Sequence, residues 1–320
     1  MAIPETIARA ANDIRSMRIR GASRIAVASL EALRNAADEI YVESESPGIF
    51  LDRVREAEKV LLDTRPTAVA LPNALSFLDN SLDSGGCNGA SKEELRKILD
   101  DSVSQFIERV DEASRKIADL AMPLIQENST AITHCHSSAA VSVMRKAAAR
   151  GLLRTIYVTE TRPLYQGRIT AKELENSGAS IKFITDSAAG FYMGDSDIMI
   201  VGADAVAMNG DLINKIGTFQ MAALAKQLNK TVLVAAETYK IATKALTGAD
   251  VPIEFRSSEE VYEQDPAGIG NPEILNPAFD ITPAGLISSI VTEIGVIAEP
   301  EREVPIMAKK AGLLPGRQVF

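Results

Sequence analysis

Residues 129–159 read STAITHCHSSAAVSVMRKAAARGLLRTIYVT. A short apolar run, TAITH at 130–134, gives way to small polar residues, then to the helix-length segment AAVSVMRKAAAR, then to a second apolar run, LLRTIYV. Runs of this length bounded by helical segments predict strands of a parallel sheet covered by helices on both faces. The alternation continues through SIKFIT at 180–185, DIMIVG at 197–202 and TVLVAA at 231–236. In such sheets ligands gather outside the carboxyl ends of the strands. Functional residues are therefore sought where each run stops.

Upstream of Asn128 the apolar period is helical. Ile3, Ile7, Ala10, Ile14 and Met17 share one face, and RIRGAS at 18–23 interrupts. Ile25, Leu30, Leu33 and Ala37 define a second helix; Phe50, Val54, Ala57 and Leu61 define a third, after Ser46-Pro47-Gly48. A short fourth helix is expected over TAVALPNAL, followed by a loop, DSGGCNGA, ending at Ser91. Ser91 and Glu94 form a capping box for a long helix bearing Leu95, Leu99, Val103, Phe106, Val110, Ala113, Ile117, Leu120 and Leu124. The expected architecture is α/β: a helical N-terminal domain over 1–126, then a Rossmann-like α/β catalytic domain with a mainly parallel sheet over 127–320.

The chain's 320 residues suffice for two domains, and 46% hydrophobic with 24% charged residues is ordinary globular composition. Thirty-four basic against 43 acidic residues give a net charge of −9, which disfavours nucleic acid or an anionic membrane as partner. No run approaches the roughly 20 apolar residues of a membrane span, and the start lacks a signal-peptide core. Two cysteines suit a reducing cytoplasm rather than a disulfide scaffold. The only two histidines, His134 and His136, bracket Cys135.

The first strand ends in THCHSSAA. Ser137, Ser138 and Ala139 open the following helix, whose unpaired N–H groups and dipole favour a phosphate. The same helix start lowers the pKa of a nearby thiol, making Cys135 a candidate acid/base or nucleophile. The bland alternative is a buried small hydrophobe. His-Cys-His does not read as a metal site, because on an extended segment the histidines point away from the cysteine. Cys87 sits in a distant loop with no CxxC partner. Neither metal nor cofactor is expected.

The run DIMIVGADAV stops at Gly202-Ala203-Asp204, and a carboxylate at a buried strand end is exposed, paired or employed; the alternative is a turn cap. Asn214 and Lys215 precede a helix, where a cation can hold a phosphate or a developing oxyanion. AAETYK supplies Glu237 and Lys240 at the same edge. In the helical region, Arg20 with Gly21, Ala22 and Ser23, and Arg65 followed by Pro66 at a first-turn position, are candidates for a second phosphate clamp. For each of these charged groups the alternative is plain solvation.

RGAS at 20–23, TRPTAVALPNAL at 64–75, THCHSS at 133–138, ETRPLYQG at 160–167, GADAV…NGDLINKIGT at 202–218 and AAETYK at 235–240 occur in order. The series, which extends to DITPAGLISSIVTEIG, resembles the superfamily that joins sugar-1-phosphate aldose–ketose isomerases to the regulatory subunits of the initiation factor 2B exchange factor. The factor subunits generally lack the cysteine, and methylthioribose-1-phosphate isomerases typically follow it with an Asn-containing segment. With His136-Ser137-Ser138 the chain looks most like the archaeal ribose-1,5-bisphosphate isomerases; the other two branches stay open as alternatives. The resemblance implies a sugar bisphosphate substrate in AMP salvage, response to AMP, and a homo-oligomer, with hexamers known. It also implies that Cys135 is the base at carbon and Asp204 the acid. Arg20, Gly21, Ala22, Ser23, Arg65, Ser137, Ser138, Ala139, Asn214, Lys215 and Lys240 match family substrate-binding positions, with Gln166 a further candidate for a sugar hydroxyl.

Overall fold

The computed structural model describes residues 3–19, 21–65, 69–261 and 272–314. The chain divides into two compact units, Met1–Glu112 and Ala113–Phe320.

The first unit is built from α1 (Glu5–Arg15), α2 (Ala22–Glu43), α3 (Pro47–Leu62), α4 (Ala70–Cys87) and the first part of α5 (Lys92–Ala121). The expected apolar faces are the buried ones: Ile7 and Ile14, then Ile25, Leu30 and Leu33, then Phe50, Val54 and Leu61 are almost wholly shielded. Burial of each such side chain contributes on the order of 1.5–3 kcal/mol, so the periodicity selects these helices. Pro47 starts α3, with the Ser46 hydroxyl accepting the Ile49 N–H at 3.3 Å. The capping box at α5 is formed: Ser91 N–H to Glu94 Oε2 is 2.7 Å and Glu94 N–H to Ser91 Oγ is 3.3 Å.

Helix α4 departs from expectation. It runs straight through Asp83-Ser84-Gly85-Gly86-Cys87, a stretch that reads as loop. The glycines serve packing rather than a turn. A β-carbon on Gly85 would lie 2.6 Å from Ile98 Cδ1, and one on Gly86 3.2 Å from Leu51 Cδ1. Pro66, expected to start this helix, lies outside the described residues.

The second unit contains β1 (Ser129–Thr133), α6 (Ser138–Ala149), β2 (Leu153–Thr159), α7 (Gln166–Leu174), β3 (Ser180–Ile184), α8 (Ala189–Tyr192), β4 (Ile198–Val201), β5 (Ala205–Ala207), β6 (Leu212–Lys215), α9 (Thr218–Gln227), β7 (Thr231–Ala235), β8 (Ile241–Ala242), β9 (Phe279–Thr282), β10 (Ser289–Thr292), β11 (Gly295–Ile297) and α10 (Pro300–Lys310). A seven-stranded sheet has the order β11-β10-β7-β4-β1-β2-β3, parallel except for the β10–β11 hairpin. Alternate residues feed two cores. Ala131, Ile156, Ile198 and Ile200 meet Val143 and Met144 of α6 on one face. Ile132, Tyr157, Met199 and Val201 meet Met221 of α9 and Val304 of α10 on the other. This explains the unbroken apolar runs of the central strands β4 and β7, whereas the edge strand β3 is largely exposed.

The chain lays down β1, β2 and β3 outward in one direction and then returns to place β4 on the other side of β1. The reversal point of an open α/β sheet is thus the crevice beyond the carboxyl ends of β1 and β4. A second, four-stranded sheet, β8-β5-β6-β9, follows at that edge; its β5–β6 and β6–β9 pairs are antiparallel.

Candidate active site

Beyond β1 the chain turns sharply. Cys135 is half-buried with φ at +69°, a left-handed conformation uncommon for a residue with a β-carbon. It is held on both sides. Its N–H donates to Thr161 Oγ1 at 2.9 Å, and its carbonyl accepts the Thr170 hydroxyl at 2.8 Å. Thr161, fully buried, is itself at φ +62°, an outlier for a β-branched residue. Asp186 supports that conformation: its two carboxylate oxygens accept the N–H groups of Thr161 and Arg162, each at 2.7 Å. Backbone strain so over-determined belongs to sites that must hold one geometry. No local sequence signal marks Thr161, Thr170 or Asp186 for these roles, which come from bonds between segments 25 to 35 residues apart.

His134 and His136 are occupied structurally. His134 is buried, and its Nε2 is 2.8 Å from the Ile216 carbonyl, which only accepts. Nε2 therefore carries the proton and Nδ1 accepts the Thr159 hydroxyl at 2.7 Å. Burial pushes this imidazole's pKa below its usual value, so the ring is neutral. Since the Thr170 proton is committed to the Cys135 carbonyl, His136 Nδ1 donates to Thr170 Oγ1 at 3.1 Å. Among the described residues no group of three His, Cys, Asp or Glu side chains gathers as a metal-ligand set.

Helix α6 begins where expected. Ser137 is its N-cap, the hydroxyl accepting the Ala140 N–H at 3.4 Å, and Ser138 and Ala139 hold the first-turn amides, which have no intrahelical carbonyl. At the end of β4, Gly202 lies against this cap: a β-carbon there would stand 2.4 Å from Ser137 Oγ. Asp204, two residues on, is half-buried and donates its N–H to the Ile213 carbonyl at 3.0 Å. The Cys135 and Asp204 segments thus meet through Ser137 and Gly202.

Asn214 and Lys215 end β6, both largely shielded. Asn214 Nδ2 donates to Thr218 Oγ1 at 3.0 Å, and Lys215 Nζ stands 5.0 Å from the centre of the Phe279 ring. Gly217 is at φ +105°, and a β-carbon there would stand 3.1 Å from His134 Nε2. Asp280 of β9 caps α9, accepting the Gly217 N–H at 2.6 Å and the Phe219 N–H at 3.1 Å. Burial pushes its carboxyl up to about 6 against the pull of those amides and of Lys215. Asp280 was also unforeseen, although it stands within the quoted DITPAG motif.

Lys240 is 4% exposed, its Nζ 2.7 Å from Glu237 Oε2 in a buried ion pair. Gln166, the first residue of α7, is 7% exposed, and its Oε1 makes no hydrogen bond to any described residue. In the helical unit Gly21, at φ +92°, is the N-cap of α2, followed by Ala22 and the buried Ser23. Arg65 is buried after α3, with Nη1 3.3 Å from Met17 Sδ. Arg20 lies outside the described residues.

The class is thus an α/β protein with a doubly covered parallel sheet, a cysteine in left-handed backbone conformation and a helix start at its reversal point. The chain belongs to the initiation factor 2 subunit family, whose pattern matches residues 18–299. It is 40% identical over 308 residues to the ribose 1,5-bisphosphate isomerase of Archaeoglobus fulgidus, covering 96% of this chain and 94% of that one. Identity with the enzyme of the same name from Thermococcus kodakarensis is 38%, over 98% and 97% of the two chains. The crystal structure of 5-methylthioribose 1-phosphate isomerase from Pyrococcus horikoshii OT3 superimposes with a TM-score of 0.79 at 30% identity, over 95% and 88%.

Proposed function

We propose that the protein is an aldose–ketose isomerase that converts ribose 1,5-bisphosphate to ribulose 1,5-bisphosphate. One observation carries the chemistry: Cys135 and Asp204 follow the two strands that flank the sheet's reversal point, beside the start of α6. The near-full-length likeness to archaeal enzymes of that name supports the substrate.

A sugar with phosphate on C1 has no free anomeric hydroxyl and is locked as a ring. Asp204, as acid, protonates the ring oxygen as its bond to C1 breaks, and the electron pair left by the departing C2 proton forms a C1–C2 double bond. Cys135, as thiolate, removes the C2 proton and returns it to C1, while loss of the C2 hydroxyl proton balances the one given to the ring oxygen. Ser138 and Ala139 hold one phosphate through backbone amides, and Lys215, Asn214 and Lys240 of the same unit supply further anion ligands; the assignment of Arg20, Gly21, Ala22, Ser23 and Arg65 to substrate rests on the sequence resemblance. The unpaired Oε1 of Gln166 supports its assignment to a sugar hydroxyl. We assign the finer properties likewise: a cytoplasmic homo-oligomer, a hexamer, activated by AMP and acting in AMP salvage.

The solved methylthioribose isomerase relative gives the second reading. Purified protein assayed with ribose 1,5-bisphosphate and with methylthioribose 1-phosphate decides between them. Turnover of the bisphosphate, abolished by Cys135→Ser and by Asp204→Asn in folded protein, is expected. Activity only on methylthioribose 1-phosphate sinks the substrate assignment, and near-normal turnover by both variants sinks the mechanism.

A further inference from the structure

We infer that Asp280 is a positioning residue for Lys215 and Asn214. It fixes the turn Ile216–Phe219 and takes the α9 amides that an anion would otherwise use. The inference rests on the reading above that Lys215 and Asn214 bind substrate phosphate.

Strand β9 runs antiparallel to β6 with Asp280 opposite Asn214 and Phe279 opposite Lys215. From there the Asp280 carboxylate spans the turn, one oxygen on the Gly217 amide at 2.6 Å and the other on the Phe219 amide at 3.1 Å. Gly217 is the N-cap of α9 and has no side chain with which to cap it, so a residue 63 positions away performs that task. The turn is gripped from its other side by His134, whose Nε2–H bonds the Ile216 carbonyl at 2.8 Å. Phe279, the neighbour of Asp280, presents its ring to the Lys215 ammonium. Two consecutive residues of β9 therefore set the turn and the cation.

The arrangement divides labour between two helix starts. At α6 the cap is a neutral serine hydroxyl, which leaves first-turn amides to an anion. At α9 a carboxylate already sits on the amides, so an anion arriving there is recognised by the Lys215 charge and not by the helix. Losing Asp280 frees the turn, lets Lys215 and Asn214 drift, and weakens binding in ground and transition states alike. Such uniform loss appears in KM more than in kcat.

The test measures kcat and KM for ribose 1,5-bisphosphate in the wild type, Asp280→Ala, Asp280→Asn, Lys215→Met and the Asp280→Asn/Lys215→Met double variant. Far-UV circular dichroism serves as a check of folding. Asp280→Ala is expected to raise KM about tenfold with kcat changed less than about threefold, and Asp280→Asn, which keeps one acceptor oxygen, to fall between it and wild type. In the Lys215→Met background Asp280→Asn should add less to KM than it does in the wild type, since part of its effect passes through that lysine and the remainder through Asn214. Should Asp280→Ala fail to fold, the Asn variant and the double variant still decide. A folded Asp280→Ala enzyme with wild-type KM, or fully additive effects in the double variant, overturns the inference. A wild type inactive on the bisphosphate, or a Lys215→Met enzyme with unchanged KM, would instead overturn the functional reading beneath it.

Discussion

Gly202, at the end of β4, stands so close to Ser137, the N-cap of α6, that a β-carbon on the glycine would lie 2.3 Å from the serine β-carbon. This contact seats the start of α6 against the strand that leads to Asp204. Gly202→Ala is expected to destabilise the protein by about 1–3 kcal/mol, as over-packing at a rigid contact does, and to weaken sugar-phosphate binding. Ser137→Gly, tolerated at an N-cap at a cost of a few tenths of a kcal/mol, should recover most of the stability in the double variant. Urea unfolding of the three variants checks this; an additive double variant means that the serine is not what the alanine strikes.

The hydroxyl of Thr161 accepts the Cys135 amide N–H at 2.9 Å. Thr161→Val keeps the shape and branching but leaves that amide without its oxygen, at a cost of about 1–3 kcal/mol. Thr161→Ser keeps the bond. A fall in melting temperature and in turnover for valine, with serine close to wild type, is the expected pattern. Equal effects from the two would place the defect in the methyl packing.

Glu237 and Lys240 form an ion pair with almost no exposed surface. Removing either partner takes a charge-assisted contact from a buried group, so Glu237→Gln and Lys240→Met should each cost about 3–5 kcal/mol. The double variant should regain much of that loss. If Lys240 also holds substrate, turnover will stay low in the double variant after stability returns. Denaturation midpoints and kinetics measured on the same preparations separate the two roles.

Glu58 of α3 is 4% exposed, and burial, with the nearby Asp79 carboxyl, pushes its pKa from 4.5 up to about 8. The folded state therefore binds one proton more than the unfolded state between those values. Stability from this group is fully present below 4.5 and is lost as pH rises through about 8, at up to about 1.4 kcal/mol per pH unit. Glu58→Gln should flatten that slope. Unfolding free energies at pH 5, 6, 7 and 8 compare the two proteins; parallel pH profiles would show that Glu58 is ionised when folded.

What could be read from residues alone follows physical range. The strands of the large sheet announce themselves because burial on both faces makes Ile132, Met199 and Val234 continuous with their neighbours in apolar character. Ser91 is visible as a cap, and the stretch Ser137–Ala139 as a helix start, because both signals are local. The small sheet is not visible, because strands of two to four residues such as β5 and β8 carry no period. Nor are Thr161, Thr170 and Asp186, whose roles come from bonds to backbone 25 to 35 residues away. Gly85 misleads because a glycine needed for close approach looks the same as one needed for a turn.

The scarcity of histidine has a practical consequence. Both imidazoles of the chain flank Cys135, one sealed between Thr159 and Ile216 and the other resting on Thr170. With imidazole nitrogens labelled, the entire histidine spectrum originates within one residue of the thiol. The protein carries its own spectroscopic window onto that position, with no background to subtract.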